Sequence, residues 1–445
     1  MRKVLFHSYH FPPIGGSGAQ RPLKMVRALR GLGYEPVVVT GGGATADRWA
    51  PEDATLAAEL PPETEIHRAP RTGEPELAAG RRLAAQRWLG VPDRWATWWN
   101  RASYELALRE GADVDLVYVW MQPYASAETG AKLSRALAKP WVADLGDPWA
   151  LDEMLVYPSA LHRRLDLRRM GRLLGTASAI SMSTPEAVDR LLDAFPHLRD
   201  RPVRAIPNGF DADDFAAEPR PRGDSRFRIV HTGYLHTELG LAHRRRHGMR
   251  RLLHGSIPGL DILTRSHVHL VEAVNRLLAE DPELGGVLEL HFAGVLNATD
   301  EEIARSCPVA HLHGYLSHAD SIELMRTADL LFLPMQNLPE GVRATIVPGK
   351  TYEYLASGTR ILAAVPEGDA HDILEQAGNA VLVRPDDVDG LVDALRAELS
   401  RRAEPAQPRR ADVLARFEYG KLAADLAALF DAVLAEREPR AQAGS

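Results

Sequence analysis

Short β-branched runs alternating with longer stretches of helical periodicity constrain this chain more than any other feature. In the first half the runs fall at residues 3–8, 36–40, 116–120, 141–143, 179–183 and 203–206; in the second at 228–231, 288–292, 330–333, 360–365 and 380–383. Apolar residues at three-to-four spacing fill the intervals, for example 20–31, 267–278, 317–327 and 388–399. Near-continuous apolar strands joined by helices of this length are βαβ units, whose strands lie parallel and buried on both faces. The 445 residues exceed what one core organises, so the pattern predicts an α/β protein with two doubly wound sheets. Turn chemistry at 206–210 and a Pro-, Arg- and Gly-rich stretch at 217–225 mark the junction. Predicted domains are 1–210, 211–408 and a C-terminal segment 409–445, where Val413, Phe417, Leu422, Leu426, Leu429, Phe430 and Val433 form a helical stripe broken near Gly420.

Composition narrows the function classes. With 45% hydrophobic and 25% charged residues the chain is globular, and a net charge of −7 argues against a nucleic-acid or anionic-membrane partner. No window approaches the roughly 20 apolar residues of a membrane span. The first apolar run meets a polar, Pro-rich stretch too early for a signal peptide, so the expectation is a cytoplasmic protein. Cys307 is the single cysteine and reads as a buried small hydrophobe.

Two segments carry chemistry. The first strand runs into a glycine-rich loop, Pro12 to Gly18, with Gly15 and Gly16 before a helix start. Such glycines let backbone approach a ligand, and the helix start offers N–H groups to an anion. The spacing is not the dinucleotide fingerprint. The second segment is 341–362, where Pro348 and Gly349 set a helix start and Gly358 closes a short helix. Amides at Gly349, Lys350 and Thr351 are predicted to point at an anion, and Glu353 to reach a ribose diol from one turn inside. Its bland alternative is a plain helix-surface carboxylate. A long connection at 237–266 holds His243 to His247 with three arginines between, then Arg250 and Arg251. It reads as a solvated basic loop or as a lid over a phosphate-bearing ligand.

On these motifs, with the 206–211 linker and the strand-and-turn His231-Thr232-Gly233-Tyr234, the chain resembles the GT-B glycosyltransferases of the large retaining family 4 over nearly its whole length. The resemblance implies two facing Rossmann-like domains with a C-terminal helix crossing back to the first. It implies donor binding by Gly15, Gly16, Gly233, Tyr234, Pro348, Gly349, Lys350, Thr351 and Glu353. The family's partner carboxylate eight positions before Glu353 is here Thr345, which departs from the pattern. A related set carries Asp-Phe-Arg-Asp-Pro-Trp where this chain has Asp144-Leu145-Gly146-Asp147-Pro148-Trp149. The missing Arg suggests that Gly146 enlarges the acceptor side. Catalytic candidates are Lys350, Arg343, Asp144 and Asp147, with His10, Gln122 and Trp149 on the acceptor side. Asp144 and Asp147 also read as caps and turn residues.

The resulting expectation is a metal-independent, retaining transfer from a UDP- or GDP-sugar, which is a co-substrate and the sole small-molecule helper, to a small-molecule acceptor in specialised metabolism. A nucleotide-sugar epimerase and a non-catalytic nucleotide-sugar-binding relative are the rivals. His311 and His313 alternate along a possible strand with no carboxylate or Cys set nearby, which argues against a metal site. Trp95, Trp98 and Trp99 read first as packing and second as an acceptor wall or membrane patch.

Overall fold

The computed structural model describes residues 1–43, 51–78, 80–91, 93–245, 253–402, 404 and 410–436. The chain divides into unit 1, Met1–Asn208 with Tyr419–Ser445, and unit 2, Gly209–Glu418. Residues 410–418 therefore lie with the second unit, and the chain returns to the first at Tyr419.

Unit 1 contains, among the described residues, the parallel strands β1 (Arg2–Ser8), β2 (Tyr34–Thr40), β3 (Glu65–Arg68), β4 (Leu116–Trp120), β5 (Trp141–Leu145), β6 (Ala179–Met182) and β7 (Val203–Ala205), in the order β3-β2-β1-β4-β5-β6-β7. Alternate residues along β1 serve opposite cores. Leu5 joins Val37, Val117, Val119 and Trp141 on one face, while Val4 and Phe6 join Val38, Leu116 and Tyr118 on the other. The second face is sealed by the helix Ser17–Leu29 and by the C-terminal helix Tyr419–Ala435, which brings Leu422, Leu426 and Phe430 to it. Phe430 meets Tyr34 edge-on at 5.3 Å, and the Tyr34 hydroxyl donates to Asp431 at 2.6 Å. Fully burying these side chains is worth about 1.5–3 kcal/mol each. That is ample to hold a helix reached through a whole intervening domain.

Unit 2 repeats the plan with β8 (Phe227–Thr232), β9 (Leu288–Ala293), β10 (Ala310–Gly314), β11 (Leu330–Pro334), β12 (Arg360–Ala364) and β13 (Ala380–Val383), ordered β10-β9-β8-β11-β12-β13 and parallel throughout. In each sheet the strand order reverses once, between β1 and β4 and between β8 and β11. Ligands of open α/β sheets bind beyond the carboxyl ends of the strands at such reversals.

Two strands carry weak sequence signals. β3 reads Glu-Ile-His-Arg and none of its residues is fully buried, because an edge strand has only one neighbour to satisfy. β10, the other polar edge, is where His311 and His313 sit. Trp99 is fully buried and its indole donates to Ser126 at 3.0 Å, so the tryptophan cluster is packing at that position. Among the described residues no helix is long and apolar enough to cross a membrane.

Candidate functional site

β8 ends on His231 and Thr232, and Gly233 follows with φ +94°, a left-handed conformation that favours glycine. A Cβ there would lie 2.9 Å from the Lys350 amine, so the missing side chain is also what lets that amine lie over the backbone. Lys350 opens the helix Lys350–Ser357. The two elements are tied by Tyr354, whose hydroxyl accepts from the Thr232 amide at 3.0 Å.

The His231 ring fixes which partner of this pair donates. Its Nδ1 lies 3.0 Å from the Phe332 carbonyl oxygen, which can only accept, so Nδ1 carries the proton. Nε2 is then a lone pair, 3.2 Å from the Lys350 Nζ, and accepts from it. Burial, with the Lys350 charge next, drives the imidazole well below its ordinary pKa, so it stays neutral. Burial also lowers Lys350, to about 7, with Arg265 adding repulsion and Glu353 opposing it. Arg265 reaches the Gln336 side chain at 3.3 Å.

Glu353 sits one turn inside the helix, part exposed, with His318 Nδ1 4.0 Å from its carboxylate and His318 Nε2 3.0 Å from Asp214. The Thr351 amide is already spent on the Pro348 carbonyl at 2.9 Å, which removes it from the expected anion-binding set. The Thr351 hydroxyl is buried with no hydrogen-bond partner among the described residues. Tyr234 is part exposed just after Gly233, and Thr345 is fully buried. Arg343 is engaged by Asp372 at 2.6 Å. The structure thus gathers Gly233, Gly349, Lys350 and Glu353 and adds Arg265, His231 and His318. Arg265 was hidden in the sequence because it closes the basic connection, two residues before a helix cap. His231 looked like a strand residue. The connection opens as a helix, Thr237–Arg245, with Arg244 paired to Asp261 at 2.5 Å and His243 buried. Arg246, His247, Arg250 and Arg251 lie outside the described residues.

Unit 1 has its own polar cluster at its reversal point. A Cβ on Gly18 would meet Gln122 Oε1 at 3.2 Å and the His10 ring at 3.3 Å, and Gln122 donates to Asp147 at 3.3 Å. Burial lowers His10 to about 4, so it is neutral. Asp144 differs from its expected role. It is fully buried, salt-bridged to Arg21 at 2.9 Å and bonded by the Tyr118 hydroxyl, so its oxygens serve the architecture of β5 and leave no surface for an acceptor. The cation missing from its own loop arrives from the helix Ser17–Leu29 instead. Gly146 leaves no extra room either: a Cβ there would stand 2.6 Å from the Trp120 ring, which fills the space. Trp149 is buried, stacked on Tyr124 at 5.4 Å, with its indole donating to Asp166 at 3.1 Å. The Gly15 amide donates to the Pro51 carbonyl at 2.7 Å, so it offers nothing to an anion, and Gly16 precedes the helix with φ +81°.

Residues 262–401, within unit 2, match the family model described as Glycosyl transferases group 1. No curated protein matches the chain in sequence. Solved structures of the same fold span essentially the whole chain. HepE from Anabaena in complex with UDP-glucose is 15% identical with a TM-score of 0.60, covering 97% of this chain and 100% of its own. Sucrose-phosphate synthase from Thermosynechococcus elongatus is 14% identical with a TM-score of 0.59, covering 99% and 98%. Trehalose 6-phosphate synthase from Burkholderia multivorans is 16% identical with a TM-score of 0.59, covering 98% and 100%. The architecture is that of the GT-B glycosyltransferases.

Proposed function

We propose that this chain is a retaining, metal-independent glycosyltransferase that takes a sugar from a nucleoside diphosphate sugar, UDP first, and passes it to a small-molecule acceptor in the cytoplasm. The observation that carries the reading is the grouping of Lys350, Arg265 and the 350–357 helix start at the β8/β11 reversal, with Glu353 one turn further in. It lies inside the segment that matches a glycosyltransferase model. Two cations and a helix N-terminus suit a diphosphate, and a carboxylate at Glu353 suits a ribose diol. UDP is placed ahead of GDP because HepE of the same fold holds UDP-glucose.

In this reading the bond from the anomeric carbon to the diphosphate oxygen breaks and both electrons leave with the diphosphate. Lys350 and Arg265 hold the growing negative charge, which is where preorganised electrostatics contribute most. The acceptor proton passes to the departing phosphate oxygen as the new glycosidic bond forms on the same face. His10, Gln122 and Asp147 of unit 1 are assigned to the acceptor.

Calorimetry of UDP, GDP, ADP and TDP on the purified chain without added metal tests the donor site. UDP is expected to bind best; binding of none overturns the reading. Conversion of the donor to a second nucleotide sugar without any acceptor would replace it with epimerisation.

A further inference from the structure

The strongest feature outside the donor site is on the β10 edge of the unit 2 sheet. His311 of β10 is in register with His291 of β9, and Glu289 lies two residues before His291, so all three share one face. His313, two residues after His311, shares that face and lies against the same group. The carboxylate that the sequence did not offer to His311 and His313 is thus supplied by the neighbouring strand.

We propose that Glu289, His291 and His311 form a binding site for one divalent transition-metal ion of the zinc, cobalt or nickel class. One ligand atom from each lies within 4.8 Å of the others. The Glu289 carboxylate is 3.1 Å from His291 Nε2 and 4.0 Å from His311 Nε2. These distances bracket the roughly 3.4 Å that two ligand atoms keep around a tetrahedral zinc with bonds of about 2.1 Å. A small rotation of the exposed His311 side chain completes the geometry, and water takes the remaining position. Two imidazoles and one carboxylate select zinc-like ions over magnesium or calcium, which prefer all-oxygen sets.

Two further observations fit a ligand set. His291 Nδ1 lies 2.8 Å from His313 Nε2. A proton on Nδ1 donated to His313 would leave His291 Nε2 as a lone pair facing the carboxylate, an arrangement a cation relieves, and an outer partner of this kind orients metal-bound imidazoles. The His291 and His311 rings stack at 4.9 Å, so the ligands are already packed together. Arg228 and Arg226 also hold Glu289, at 3.1 and 3.4 Å, each on the oxygen that one of the histidines also approaches. His311 is half exposed, which gives an ion access from solvent. Coordination would fasten the edge strand β10 to β9.

The test uses the full chain, untagged and stripped with a chelator, titrated with zinc and with cobalt. Wild type is expected to bind one zinc at this site at micromolar concentration or below, to show visible absorption bands with cobalt, and to melt at higher temperature with zinc. His311→Ala, at an exposed position, and His291→Ala should each weaken that binding at least tenfold and remove the thermal shift. A second group, Glu65, His67 and Glu110 in unit 1, meets the same distance limit and serves as the control. Unchanged zinc affinity in both variants, absence of saturable binding in wild type, or loss of binding in His67→Ala alone would overturn the proposal.

Discussion

Lys350 provides the sharpest test of the donor site, because its charge is poised to depend on the ligand. In the free protein burial and Arg265 hold the amine near about 7, while His231, locked as a neutral acceptor, neither repels nor protonates in its place. A bound diphosphate places at least two negative charges beside the amine and favours its charged form. The complex then holds more protons than its free components at alkaline pH, so affinity must fall as pH rises above 7. The competent, charged fraction drops from about one half at pH 7 to about one hundredth at pH 9, an affinity loss of about 50-fold or about 2.3 kcal/mol. Phosphate groups, with a last pKa of about 6, are already about nine-tenths ionised at pH 7 and change affinity by only about a tenth across that window. The assay is calorimetry of UDP at pH 7, 8 and 9, in two buffers of different ionisation enthalpy at pH 8, where uptake of about 0.9 proton is expected from the same titration. Lys350→Met should bind more weakly at pH 7 and lose both the slope and the proton uptake. A flat affinity in wild type, or a slope that survives in Lys350→Met, refutes the reasoning.

Glu353→Ala should weaken UDP binding by about 10- to 100-fold, the cost of one or two charge-assisted hydrogen bonds, while the melting temperature stays put. Unchanged affinity would remove Glu353 from the ribose. Asp144→Asn leaves the Arg21 guanidinium buried without its countercharge and should destabilise unit 1 by on the order of 3 kcal/mol, read as a fall in its melting transition. Lost turnover at wild-type stability would return Asp144 to the reacting groups. Gly146→Ala forces a Cβ against the Trp120 ring and should cost about 1–3 kcal/mol by overpacking, checked by chemical denaturation. EDTA should leave glycosyl transfer intact; its abolition would overturn metal independence.

What the sequence shows and what it conceals divide along physical lines. Buried parallel strands must be apolar on both faces, so β1, β4, β8 and β11 announce themselves in any chain. An edge strand such as β3 needs no such composition and is silent. Backbone-driven features are also local: Gly233 and the Pro348-Gly349 helix start can be read from a few adjacent letters. Side-chain partnerships are not. Asp144 in β5 and Asp147 in the turn after it are three positions apart, yet one is sealed by Arg21, 123 residues earlier, and the other opens toward Gln122. The two carboxylates are equivalent as letters, and only the path of the helix Ser17–Leu29 separates them. The same holds for Arg265 and Lys350, whose mutual repulsion exists only because the sheet order brings β8 beside β11. A motif therefore locates the donor site, whereas the charge state on which its chemistry depends is a property of the topology. This is why titration of Lys350 probes the site more directly than deletion of any motif residue: it reads an interaction that the fold alone creates.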